Sequence, residues 1–97
     1  MTNLFVGKKC IVRSNMAGVF FGEIANIEGS AVLMKDARKI YRWSGANTVE
    51  DISQTGVLNS SKVTVVVESV LIEKYDQIIT CTEFAITNLI NQPVWKA

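Results

Sequence analysis

Short stretches in which apolar and polar residues alternate fill the first two-thirds of the chain, and an apolar stripe at helical spacing lies near its end. In Lys9-Cys10-Ile11-Val12-Arg13, period two puts Cys10 and Val12 on one face and Lys9, Ile11 and Arg13 on the other. Ser14-Asn15 with Ala17-Gly18 predicts a turn. Val19 to Ile27 predicts a second strand, with Gly22 as a bulge or a point of close backbone approach. Glu28-Gly29-Ser30 reads as a hairpin turn into a third strand, Ala31 to Met34, and Lys35-Asp36 as a bend before Ile40-Tyr41-Arg42-Trp43. Connections this short require antiparallel neighbours.

After Trp43 the pattern predicts a short helix. Thr48 is its N-cap, Asp51 lies three residues on as in a capping box, Gly56 follows the end, and Val49 and Ile52 face inward. Val63-Thr64-Val65-Val66-Val67 is β-branched throughout and predicts a strand. Val70-Leu71-Ile72 and Gln77-Ile78-Ile79 continue the sheet on either side of Tyr75-Asp76. Thr80-Cys81-Thr82-Glu83 carries a helix-start signal, followed by the stripe Ala85, Ile86, Leu89, Ile90 and a stop at Pro93. Val94-Trp95 then reads as a tail anchored by its indole. The expected fold is α+β: a curled antiparallel sheet of five to six strands, a partial barrel, with two short helices in one domain spanning 1–97.

Composition narrows the function. There is no histidine, which removes the commonest general base and a common metal ligand. Two cysteines far apart in sequence make no zinc site, and Cys10 and Cys81 both sit in apolar strand-like contexts that favour buried thiols. No spacing of Glu50, Glu73, Tyr75 and Asp76 supports an acid/base pair. These features argue against an enzyme, and no cofactor is implied. The 48% hydrophobic content is high for 97 residues, so apolar surface is left for a partner to cover, most simply in a homo-oligomer. No apolar run is long enough to span a membrane and no signal peptide is evident, so the expected location is the cytoplasm.

Charge is uneven. Residues 1–48 carry seven Lys/Arg against three Asp/Glu, and residues 49–97 three against six, so nets of +4 and −3 combine to +1. All three arginines, Arg13, Arg38 and Arg42, fall in the cationic half, and guanidinium suits phosphate. Arg38 and Arg42 would lie about 13 Å apart in a strand or about 6 Å apart in a helical turn. Arg13-Ser14-Asn15 ends a strand at a turn, where amides and a hydroxyl can meet an anion, although Ser-Asn is also ordinary turn chemistry. Adjacent Phe20 and Phe21 face opposite sides of a strand, one in the core and the other free to stack on a base or contact a subunit. Trp43, Ser44, Gly45 and Asn47 sit where a strand meets a helix start, a place that can admit an anion. The competing reading of every charge is a solvated sheet face.

Ala17-Gly18-Val19-Phe20-Phe21-Gly22, Asp36-Ala37-Arg38-Lys39-Ile40-Tyr41-Arg42-Trp43-Ser44-Gly45-Ala46 and the late Cys81-Thr82-Glu83 resemble the pattern of a family of small phage and prophage proteins. The resemblance runs from about Gly7 to Trp95, and much of that family has no assigned function. The chain is also similar to the Thoeris anti-defence sponges, phage proteins that sequester cyclic ADP-ribose isomers made by bacterial TIR enzymes, some of which also hold cyclic oligonucleotides. That resemblance implies tight binding of a small phosphate-bearing signalling nucleotide, without turnover, at pockets between subunits in the cytoplasm of a bacterial host. Lys39 stands where many relatives carry a second arginine, which weakens any bidentate role there. In this reading Arg13, Arg38 and Arg42 hold phosphates, Phe20 or Phe21 and Trp43 stack on the base, and Ser14, Ser44, Gly45 and Asn47 add polar or close contacts. Two alternatives use other chemistry. A small nucleic-acid-binding β-barrel would use the same basic patch but lose affinity steeply with salt, and a protein–protein inhibitor module would survive loss of the arginines.

Overall fold

The computed structural model describes residues 2–96. A short 3₁₀ turn, Thr2–Phe5, leads into β1 (Lys9–Ser14), β2 (Gly18–Glu28) and β3 (Ala31–Arg42). Helix α1 (Val49–Thr55) precedes β4 (Lys62–Val63), β5 (Val67–Ile72) and β6 (Gln77–Thr80), and α2 (Glu83–Ile90) follows. The six strands form an antiparallel sheet in the order β4-β3-β2-β1-β6, with β5 also pairing with β3. β5 takes the first half of β3, Val32 to Ala37, and β4 takes its end, Ile40 to Arg42. The sheet curls but does not close, and the fold is α+β.

The long strands bend at two register shifts. Between Phe21 and Glu23 on β2, β3 carries one extra residue, and there Asp36 adopts a left-handed φ of 50°. The expected bend at Lys35-Asp36 is therefore a bulge inside one continuous strand rather than a break between two. Gly22 lies beside it, and a Cβ at that position would fall 2.9 Å from the Ala37 Cα, so close backbone approach explains the glycine.

Alternation gives the sheet two buried sides. One cluster gathers Ile11, Val19, Phe21 and Ile40 under the helices with Ile52, Val57, Val63 and Leu89. The other gathers Cys10, Val12, Ile24, Val32, Met34, Ala37 and Ile72 within the curl. Phe21 belongs to the first and Phe20 packs half-buried against the second, as adjacent strand residues must. The β5–β6 connection closes the mouth of the curl. The Ser14 hydroxyl donates to the Lys74 carbonyl at 2.8 Å, Ser30 Oγ donates to Glu73 O, and the Asp76 carboxylate accepts from the Asn15 amide. Both thiols are free and are pushed up by burial, Cys10 to about 11 and Cys81 to about 12.

Both helices start as their sequences predict. Thr48 accepts from the Asp51 amide while Asp51 accepts from the Thr48 amide, and Gly56 ends α1 at φ 75°, its amide donating to Ile52 O. Thr82 accepts from the Ala85 amide at the start of α2. The Trp95 amide donates to Val63 O and Lys62 Nζ lies 4.7 Å from its ring centroid, which anchors the tail.

The valine run behaves differently. Only Val63 and Val67 of residues 63–67 are in strands, although the Thr64 amide still donates to the Lys39 carbonyl of β3 at 3.0 Å. The cause is polar: beside that one backbone bond, Thr64 O accepts from Arg38 Nε at 2.8 Å and Thr64 Oγ1 accepts from the Lys39 amide at 2.9 Å, so side chains take places that a regular ladder would fill. β-Branching favoured a strand, and a buried guanidinium overrode it. No helix among the described residues is long and apolar enough to cross a membrane.

Candidate functional site

Arg38 follows Ala37 on β3 and alternates with Ile40, which directs its side chain into the helix-covered side of the sheet. It is 3% exposed. There it meets the end of α2, whose last carbonyls have no partner within the helix. Nη1 donates to Leu89 O at 2.9 Å and to Ile90 O at 3.4 Å, while Nε donates to Thr64 O. A cation at a helix C-terminus is favourable, but the helix end offers only about half an elementary charge. No carboxylate lies within 4 Å of Arg38 among the described residues, and burial lowers its pKa. The positive charge is thus only partly balanced from within.

Nη2 has no hydrogen-bond partner among the described residues and is not sealed from solvent. It belongs to a side chain lining a cleft of about 230 Å³, walled by Phe21, Gly22, Val66 and Ile90 and rimmed by Lys9, Glu23 and Asp36. Glu23 is held by Lys9 at 3.8 Å and Lys35 at 3.4 Å. With Lys35 included, three cations face two carboxylates, a local net of +1. The cleft combines apolar walls with the donor-bearing side chains of Arg38 and Lys9, an arrangement able to receive a flat or apolar group carrying an anion or carbonyl. At this size it falls below most small-molecule pockets, which run from about 300 to 1,000 Å³.

The other expected site residues are dispersed. The three arginines do not converge: Arg38 is drawn inside by the carbonyls of α2, whereas Arg13 and Arg42 are exposed at the ends of β1 and β3 and line none of the principal clefts. Arg13 lies opposite Gln77, whose amide donates to Glu50 Oε2 at 3.0 Å. That hydrogen bond holds the Glu50 carboxyl below its ordinary range, with the Arg13 charge a minor addition. Arg42 lies opposite Lys62, so two cations share the corner where β3 ends.

Ser14 is 3% exposed and occupied twice, donating to Lys74 O and accepting from the Ala17 amide. Its hydroxyl braces the turn rather than facing a ligand, which revises the role expected of it. Phe20 carries Lys39 Nζ at 5.8 Å from its centroid. Trp43 is half-buried against the helix-side cluster. Ser44 is bound by the 58–61 loop through three contacts: its amide donates to Ser61 Oγ, its carbonyl accepts from the Leu58 amide, and its hydroxyl lies 2.6 Å from Ser60 Oγ. Gly45, at φ 87°, makes room for Leu58, whose Cγ would be 2.5 Å from an added Cβ. Asn47 is exposed. The start of α1 is already capped by Thr48 and Asp51, so its seven residues offer an anion no vacant end.

Sequence reasoning therefore singled out Arg38 and Phe21 but missed the cleft they line. Lys9, Glu23 and Ile90 come from three separate elements and Val66 from the segment before β5, and they carry no common motif. One signal was present: Arg38 shares the parity of Ile40 on a strand with a buried face.

A family model described as a domain of unknown function (DUF6948) matches residues 7–89, and the chain belongs to that family. No curated protein and no solved structure matches it.

Proposed function

We propose that the protein is a non-catalytic binder that sequesters an anionic, nucleotide-type signalling molecule, in the manner of the phage sponges that its sequence resembles. One observation supports this above the others: Arg38, a buried arginine without a carboxylate partner and with Nη2 unbonded among the described residues, lines a cleft with apolar walls. A phosphate or ring carbonyl entering there completes the hydrogen bonding of Arg38 and supplies the missing negative charge. Phe21, Val66 and Ile90 provide the apolar contact for a base or ribose. The cleft's volume leaves the rest of such a ligand outside, to be covered by another surface such as that of a second copy. Because a sponge acts by stoichiometry, binding near nanomolar is required, about −12 kcal/mol.

Calorimetric titration with cyclic ADP-ribose isomers, cyclic mononucleotides and cyclic dinucleotides tests the reading. One nucleotide is expected to bind in the nanomolar range. Ile90→Glu, at a half-exposed position, places a carboxylate beside Arg38 as a built-in competitor, and is expected to weaken binding about tenfold or more. No binding across the panel, or equal binding by the variant, contradicts the assignment.

A further inference from the structure

We propose that the free edge of β5 pairs with the same edge of a second copy, giving an antiparallel two-fold dimer centred on Ser69. The inference is independent of the ligand.

β5 hydrogen-bonds only to β3, so its other edge carries unpaired backbone groups among the described residues. Monomeric sheet proteins commonly guard such an edge with lysine, proline or a covering segment. Val67-Glu68-Ser69-Val70-Leu71-Ile72 contains neither lysine nor proline, and all but Val70 and Ile72 are exposed. The other sheet edge, β6, has four residues, mostly half-buried. β5 is the longer and the barer of the two.

The sequence of β5 selects one register. Keeping the outward face of the sheet continuous across the two-fold requires residues of equal parity to oppose each other. A centre at Glu68 sets two carboxylates directly opposite, which is destabilising. A centre at Val70 leaves Val67 facing Glu73. A centre at Ser69 sets Val67 opposite Leu71 of the partner subunit, Glu68 opposite Val70 of the partner subunit, and the two Ser69 side chains together. Leu71 is 61% exposed and Val67 40% exposed, and Leu71 already lies opposite Leu33 on the same outward face. The dimer therefore sets Leu71, already beside Leu33, against Val67 of the partner subunit, and covers exposed apolar side chains that a monomer leaves in water.

Sedimentation velocity across the micromolar range is expected to show a dimer. Leu71→Lys, at a solvent-facing position, sets a charge against Val67 of the partner subunit and is expected to raise the dissociation constant about tenfold or more with no change in circular dichroism. Ser69→Cys is expected to give a covalent dimer under diamide, whereas the parent chain, with Cys10 buried and Cys81 half-buried, gives none. A parent chain that sediments as a monomer, a dimer insensitive to Leu71→Lys, or a Ser69→Cys chain that fails to cross-link overturns the proposal.

Discussion

Arg38 holds together three parts of the chain that are distant in sequence: β3, the 64–66 segment and the end of α2. Removing its guanidinium leaves three buried or half-buried carbonyls to find other partners, each costing about 1–3 kcal/mol when it cannot. Arg38→Gln is therefore expected to lower unfolding stability by about 3 kcal/mol, read as a shift in urea midpoint, and Arg38→Lys, with a single ammonium, restores only part of it. A midpoint unchanged by Arg38→Gln contradicts this structural role. The arginine itself was legible from composition as a residue suited to anions. Its burial was foreshadowed only by parity with Ile40, and its partners, Leu89 and Ile90, lie more than fifty residues away. Arg13 and Arg42 share its chemistry but stand at strand ends, where alternation no longer points into a core.

At the scale of elements, local signals predicted local structure well. Thr48, Asp51 and Gly56 bound α1 through interactions within a few residues of each other, and Thr82 does the same for α2. Gly56 takes φ 75° and ψ −154°, a region that only glycine adopts readily, and the Asn88 side chain fills the space of a Cβ. Asn88 accepts from the Val57 amide and donates to the Val57 carbonyl, joining α2 to the loop after α1. Gly56→Ala is expected to cost about 2 kcal/mol or more by denaturant titration, from backbone strain plus displacement of Asn88. A cost near zero means the loop relaxes and the glycine is not required. The valine run went the other way: intrinsic preference predicted a strand, and at Thr64 hydrogen bonds from the Arg38 side chain and to the Thr64 hydroxyl interrupt the regular ladder, leaving Thr64 to Val66 outside the strands. Val66, outside the strands, lines the cleft, where a regular strand would have placed it in the ladder.

Across the whole molecule, the curl of the sheet explains both what is enclosed and what is left open. Rolling β1–β3 around Cys10, Val12, Ile24 and Met34 encloses one of the two core clusters, and the 73–76 connection ties down one end of the roll by accepting hydrogen bonds from Ser14 and Ser30. The roll stops short of closure, leaving β5 and β6 as edges and Val65, Val66, Leu71 and Ile90 in water. An apolar excess was visible in composition, but its location depended on where the sheet stopped. The cleft proposed for a ligand and the edge proposed for assembly adjoin in the chain, since Val66 lines the first and directly precedes β5. The most direct test of the account is to incubate the protein with a mixture of cyclic ADP-ribose isomers and cyclic nucleotides, remove unbound molecules, denature by heat and weigh what is released. The account predicts near-stoichiometric release of one of them, chemically intact. Release of a converted product, or of nothing at all, contradicts it.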